Sequence, residues 1–155
     1  MKTALVSAAV LAILGLSEGP AASANLEFAG TVLRTCSITV GAPGVLDVGA
    51  NGTTLSSSSG LGTPATALVV STGSNYQLSV TNPSSFSLAP SGGNAGVTFD
   101  TKYSVTGVTS ALNVAAGGST LLNIGTTNLS VSLTATKATV FPSGLYTAQT
   151  VVTCE

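Results

Sequence analysis

The chain has 155 residues, a length that fits one domain, and only 6% of them are Asp, Glu, Lys or Arg, leaving a formal net charge of −1. That balance excludes a basic groove for nucleic acid, and a hydrophobic share of 44% argues against a disordered chain. Histidine is absent, which removes His-based triads, Cys–His pairs and the commonest metal ligand.

The first segment reads as an export signal. Lys2 supplies a positive end, Ala4 to Leu16 is apolar, and Ala22-Ser23-Ala24 is a small-x-small cleavage site, so residues 1–24 are expected to be removed before Asn25. The apolar stretch falls short of the about 20 residues a membrane-spanning helix needs. Later apolar runs are interrupted by Gly, Ser, Thr or Asn, and no amphipathic helix is present, so no direct membrane insertion is expected. The charges left are Arg34, Lys102 and Lys137 against Glu27, Asp47, Asp100 and Glu155. Such a surface repels its own copies weakly, a liability in a free monomer and less of one in a polymer.

From Asn25 onward strand signals recur and helix signals are scarce. In Leu26, Phe28, Gly30 and Val32 the apolar positions fall on every second residue, with a glycine set into the apolar face. Strands are predicted at 26–33, 35–40, 66–72, 75–82, 96–105, 108–114, 120–124, 127–136 and 145–154. Tyr76, Leu78 and Val80 alternate with Gln77 and Ser79, and Leu129, Val131, Leu133 and Ala135 alternate with Ser130, Ser132 and Thr134. In the last strand Tyr146, Ala148, Thr150, Val152 and Cys154 share a face. Between these runs, Gly41 to Gly44 reads as a turn, Asn51 to Gly62 and Pro83 to Asn94 as polar excursions, and Ala116-Gly117-Gly118 as a third turn. Short strands at this spacing indicate an all-β fold, an antiparallel sandwich of the immunoglobulin type.

No chemistry-bearing constellation emerges. The carboxylates at 27, 47, 100 and 155 show no local pairing, so acid–base catalysis and a calcium loop are both disfavoured. Gly92-Gly93-Asn94-Ala95-Gly96 lacks the lysine and helix of a phosphate loop and reads as a turn. The expectation is a protein that is no enzyme, with neither catalytic residues nor cofactor nor metal. Cys36 and Cys154 are the two cysteines, and in an exported chain two cysteines usually pair; free thiols or an intermolecular bridge are the alternatives. A bridge closing a loop of about 100 residues contributes on the order of 4–5 kcal/mol in the chain-entropy model. It would also hold the start of the first core strand beside the end of the last.

Phe28-x-Gly30-x-Val32 followed by Cys36-Ser37-Ile38 resembles the N-terminus of bacterial chaperone–usher pilins. Pro142-Ser143-Gly144-Leu145-Tyr146-Thr147 leading into Thr150-Val151-Val152-Thr153 is similar to the last strand of such fimbrial subunits, nearest the archaic branch that includes spore-coat-protein-U-like domains. Between these ends only the rhythm of strands and turns is shared. Other branches place the second cysteine at the end of the second core strand; here it is the penultimate residue. The resemblance implies an incomplete sandwich at 35–155 that lacks its seventh strand, and an N-terminal donor strand at 25–34 carrying Leu26, Phe28, Gly30 and Val32. It further implies a groove beside the last strand, lined by Tyr146, Ala148, Thr150 and Val152, which the donor of a neighbouring subunit fills. The partners implied are identical or related pilin subunits, a periplasmic chaperone and an outer-membrane usher, with export through the periplasm to a fibre at the cell surface. Two rival expectations stand beside this one. The first is a secreted, lectin-like binding module using loops 51–62 and 83–95; the second is a spore or surface coat component that packs side to side.

Overall fold

The computed structural model describes Ala24, residues 26–31 and residues 33–155. The predicted signal, apart from Ala24, lies outside the described residues, as do Asn25 and Val32. The chain divides after Thr31 into two units. Taken by themselves, residues 26–31 are exposed and form no strand, where the alternation predicted one. A strand exists only as one rail of a hydrogen-bonded ladder, and an isolated alternating segment has nothing to hold it extended.

The second unit is all-β, with no helix among the described residues. Its strands are β1 (Cys36–Val40), β2 (Asp47–Val48), β3 (Thr54–Ser56), β4 (Ala65–Ser71), β5 (Gln77–Val80), β6 (Val97–Gly107), β7 (Ala111–Ala115), β8 (Ser119–Leu121), β9 (Gly125–Lys137) and β10 (Val152–Cys154). Every pairing is antiparallel. The larger sheet is built on β9. One edge of β9 pairs with β6, which carries β7 on its far side. The other edge pairs first with β4 and then with β3, which are flanked in turn by β1 and β2. The smaller sheet runs β10-β5-β8.

The alternation in β9 decides how the sheets close. Leu129, Val131, Leu133 and Ala135 are buried, while Ser130, Ser132 and Thr134 between them stay partly exposed on the outer face. On the facing sheet Leu78 and Val80 of β5 are fully buried. Between them lies the main core cluster of Val69, Leu78, Val80, Tyr103, Val105, Leu122, Leu129 and Val131. Tyr103 keeps its hydroxyl satisfied there, donating to the Leu78 carbonyl at 3.0 Å and paired with Thr120 Oγ1 at 2.9 Å. A second cluster, Leu55, Phe86, Ala135 and Phe141, sits toward the other end of β9. Its rings meet edge to face, with Phe86 centroids 4.9 Å from both Phe99 and Tyr146, a favoured aromatic geometry.

Three predicted elements differ from those observed. The excursion at 51–62 contains β3, whose Leu55 is buried in the second cluster. The segment 41–44 bends without reversing the chain, because Gly41 N–H bonds to the Thr66 carbonyl at 2.9 Å and Val45 pairs with Thr63 further along the same neighbour. The last strand, predicted over 145–154, is a strand only at Val152–Cys154, preceded by a single bridge from Thr147 to Leu88. Its inward alternation is nonetheless present: Tyr146, Ala148, Thr150 and Val152 are half-buried, and Leu145, Thr147, Gln149 and Val151 are exposed.

Candidate functional site

Two edges of the fold face each other without pairing. The first is the segment 36–48, whose ladder bonds run to β4, β3 and Thr63. The second is the segment 142–155, which bonds to β5 and to the stretch around Leu88. Among the described residues no hydrogen bond joins one segment to the other. What joins them is the disulfide Cys36–Cys154, with its Cα atoms 6.3 Å apart and its cysteines 118 positions apart in sequence. Adjacent paired strands lie about 4.8 Å apart, so the bond ties the two edges without zipping them.

Beyond the disulfide the edges are loosely satisfied. Ala148, Gln149 and Thr150 make no backbone hydrogen bond among the described residues. The Thr150 hydroxyl is buried without a partner among the described residues, as is that of Thr101, the register partner of Leu133. Val40 follows Cys36 and Ile38 on their inward face by alternation, yet it is 82% exposed. An apolar residue on the inner face of an edge strand is normally covered by the next strand.

Between the edges lies a hollow of about 210 Å³. Gly44 and Leu46 wall it on one side, Tyr146, Ala148 and Thr150 on the other, and Val131 and Leu133 of β9 form its floor. The hollow therefore falls between the two core clusters, at the place where a continuous sandwich core would carry further side chains. At Leu46 and Tyr146 it adjoins a second hollow of about 360 Å³ that opens among Val48, Val140 and Leu145.

Of the sequence-predicted residues, Cys36 and Cys154 are bonded to each other, and Tyr146, Ala148 and Thr150 come together on one wall. Val152 lies further along and packs on the main core. Leu26 and Phe28 are exposed, the latter by 92%, and a Cβ on Gly30 would meet nothing within 4 Å. Val32 lies outside the described residues. Sequence reasoning missed the opposite wall, Gly44 and Leu46, and did not separate Val131 and Leu133 from the rest of the β9 inner face. No local signal marks them, because what distinguishes these residues is the absence of a neighbour across the sheet. Among the described residues no group of His, Cys, Asp or Glu could hold a metal ion, and no helix is long and apolar enough to cross a membrane.

Comparison with protein-family models, with curated proteins and with solved structures returned no match to this chain.

Proposed function

We propose that the chain is a structural subunit of a bacterial surface fibre that polymerises by donor-strand exchange. The fold is then an immunoglobulin-like sandwich lacking its last strand, and the leading segment 25–34 of one copy supplies that strand to the next. The observation that carries this reading is the pair of facing edges, 36–48 and 142–155, with a hollow of mixed apolar and polar lining and no hydrogen bond between them.

The energetics favour an inserted strand. It would satisfy two open edges at once, which removes the hazard that unpaired edges present. Leu26, Phe28 and Val32 facing inward would each contribute about 1.5–3 kcal/mol by burial. An apolar cavity of about 150 Å³ admits benzene, so the hollow of about 210 Å³ is roomy enough for the ring of Phe28. Gly30 would pass where the acceptor leaves no room for a side chain, letting the backbones approach. A subunit with an open groove must be shielded during export. Hence the partners of this reading are a periplasmic chaperone, an outer-membrane usher and further subunits of the same kind, and the destination is the cell surface, in adhesion or biofilm.

The test uses the oxidised full-length mature chain. Phe28→Asp is expected to abolish polymers while leaving the urea midpoint of the domain unchanged, because the Phe28 side chain is exposed. The unsubstituted chain is expected to take up a synthetic peptide of residues 25–34 with a rise in Tm. A chain that refolds alone, stays monomeric and refuses the peptide would overturn the proposal, and equal loss of folding in Phe28→Asp would favour a sandwich that fills its own groove.

A second reading, a lectin-like binding module, is favoured by one observation. A hollow of about 470 Å³ on the outer face of the larger sheet has a mainly apolar lining that includes Val40 and Leu68, and among it stand Thr66, Ser104, Asn128 and Ser130, whose hydroxyls and amide could bond a neutral sugar lying on the apolar surface. Glycan binding by a stable monomer would decide for it.

A further inference from the structure

Resting on the donor-strand reading, we infer that the strand received from a neighbouring copy completes a binding site for a neutral oligosaccharide on the outer face of the larger sheet. The hollow of about 470 Å³ on that face falls within the range of small-ligand sites, about 300–1,000 Å³.

The hollow is a trough laid across β6, β9, β4 and β1. One row of outward side chains runs Ser104, Ser130, Thr66. The next row runs Thr106, Asn128, Leu68 and on to Thr39 of β1. Neighbours within a row stand about 4.8 Å apart and the rows about 7 Å apart, because every second residue of a strand faces the same way.

The polar groups are set before any ligand arrives. Thr66 Oγ1 accepts from the Ala42 N–H at 2.9 Å, and Ser104 Oγ accepts from the Asn113 N–H at 3.0 Å. Each oxygen is thereby fixed while its own proton is left to donate. Asn128 adds an amide that both donates and accepts. Val40 and Leu68, both exposed, supply apolar surface beside these groups. Directional groups for hydroxyls next to a surface for C–H faces match the two sides of a sugar ring. None of the side chains lining the trough among the described residues is charged, so a charged ligand would lose its water without gaining a counter-charge. The occupant is therefore neutral.

One end of the trough is unfinished. At Thr39, Val40 and Gly41 it reaches β1, whose ladder bonds among the described residues run to β4 and on to Thr66. The other edge of β1 is open, and there the trough stops. A strand received along that edge widens the sheet, with its side chains alternating between the two faces. When Leu26, Phe28 and Val32 turn to the core, Glu27, Ala29, Thr31 and Leu33 stand on the outer face, beside Thr39. Glu27 and Thr31 are then the polar groups that the neighbouring copy contributes. A carboxylate there accepts from sugar hydroxyls and repels anionic ones. The site is partial in a lone subunit and whole in the polymer.

The experiment uses the oxidised mature chain carrying Phe28→Asp, whose groove stays free of its own copies. Uptake of the peptide of residues 25–34 is scored first, by the rise in Tm. Cellohexaose, maltohexaose and chitohexaose are then titrated calorimetrically into the empty and the peptide-filled chain, with a hyaluronan hexamer as the acidic comparator. At least one neutral hexamer is expected to bind the filled chain several-fold more tightly than the empty one, and hyaluronan to bind neither. A peptide with Glu27→Ala and Thr31→Ala is expected to be taken up equally well and to lose the gain. Asn128→Leu, or Thr106→Ala as a second trough substitution, is expected to keep peptide uptake and to weaken sugar binding several-fold. A filled chain that binds none of the neutral hexamers, or binds hyaluronan as well, would overturn the inference. So would equal binding by empty and filled chains, which would favour a monomeric binding module, or full binding by both trough variants. Failure of the chain to take the peptide would instead sink the donor-strand reading and this site with it.

Discussion

Thr101 is wholly buried, and its amide N–H bonds to Asn82 Oδ1 at 2.8 Å while its hydroxyl has no partner among the described residues. A buried hydroxyl without a hydrogen bond is a net cost, and valine has nearly its shape. Thr101→Val is therefore expected to stabilise the domain by on the order of 1 kcal/mol, seen as a higher urea midpoint; a lower one would mean that the hydroxyl is satisfied. Tyr103, one inward position further along β6, is the contrasting case, because its hydroxyl finds both Leu78 and Thr120. The difference between these neighbours is not legible in the sequence, where both simply fall in the strand predicted at 96–105. Phe86 was missed for a related reason. It lies in a stretch of Pro and Ser with no periodicity, yet it is the ring on which Phe99, Phe141 and Tyr146 converge. Such a residue is fixed by an Asn94 side chain that accepts from its N–H at 2.8 Å and donates to its carbonyl at 3.1 Å, a tertiary arrangement that period-counting does not detect.

Among the elements, those with long alternation were legible and those defined by their neighbours were not. β9 and β5 followed from period-two burial because each is paired on both edges and therefore extended throughout. β2 and β3, of two and three residues, are too short to show a period and form only because β9 runs on past the end of β4. The segment before β10 is the inverse case. Its inward face was readable from Tyr146 to Val152, but Ala148 to Thr150 lack the ladder that would make them a strand. The disulfide is what holds this segment near β1. Replacing both cysteines, Cys36→Ser with Cys154→Ser, removes a link across 118 positions, which the chain-entropy model values at about 4–5 kcal/mol. The expected result is a lower urea midpoint together with weaker uptake of the 25–34 peptide. An unchanged affinity for the peptide would mean that the groove keeps its shape without the tie.

For the whole molecule, the scarcity of charge makes a prediction of its own. The ion pair found among the described residues, Lys102 to Asp100 at 3.4 Å, is exposed on both sides and contributes little. With a net charge of −1, long-range attraction or repulsion between copies is small. In the polymer proposed above, assembly would be driven by apolar burial and backbone pairing, so rates of polymerisation and the urea midpoint of the polymer are expected to change little between low and high salt. A steep salt dependence, followed by light scattering, would point instead to charged contacts between copies.

The covalent link between Cys36 and Cys154 also determines how the domain bears a pulling force. Any tension on the chain ahead of Cys36 passes through sulfur to the closing segment as well as into β1. The first strand cannot be unzipped from β4 by itself, since tugging its front end draws on both flanks of the open side together. A filament of such units would meet shear or flow with each domain locked at its point of attachment, and would yield first at the non-covalent seams between units.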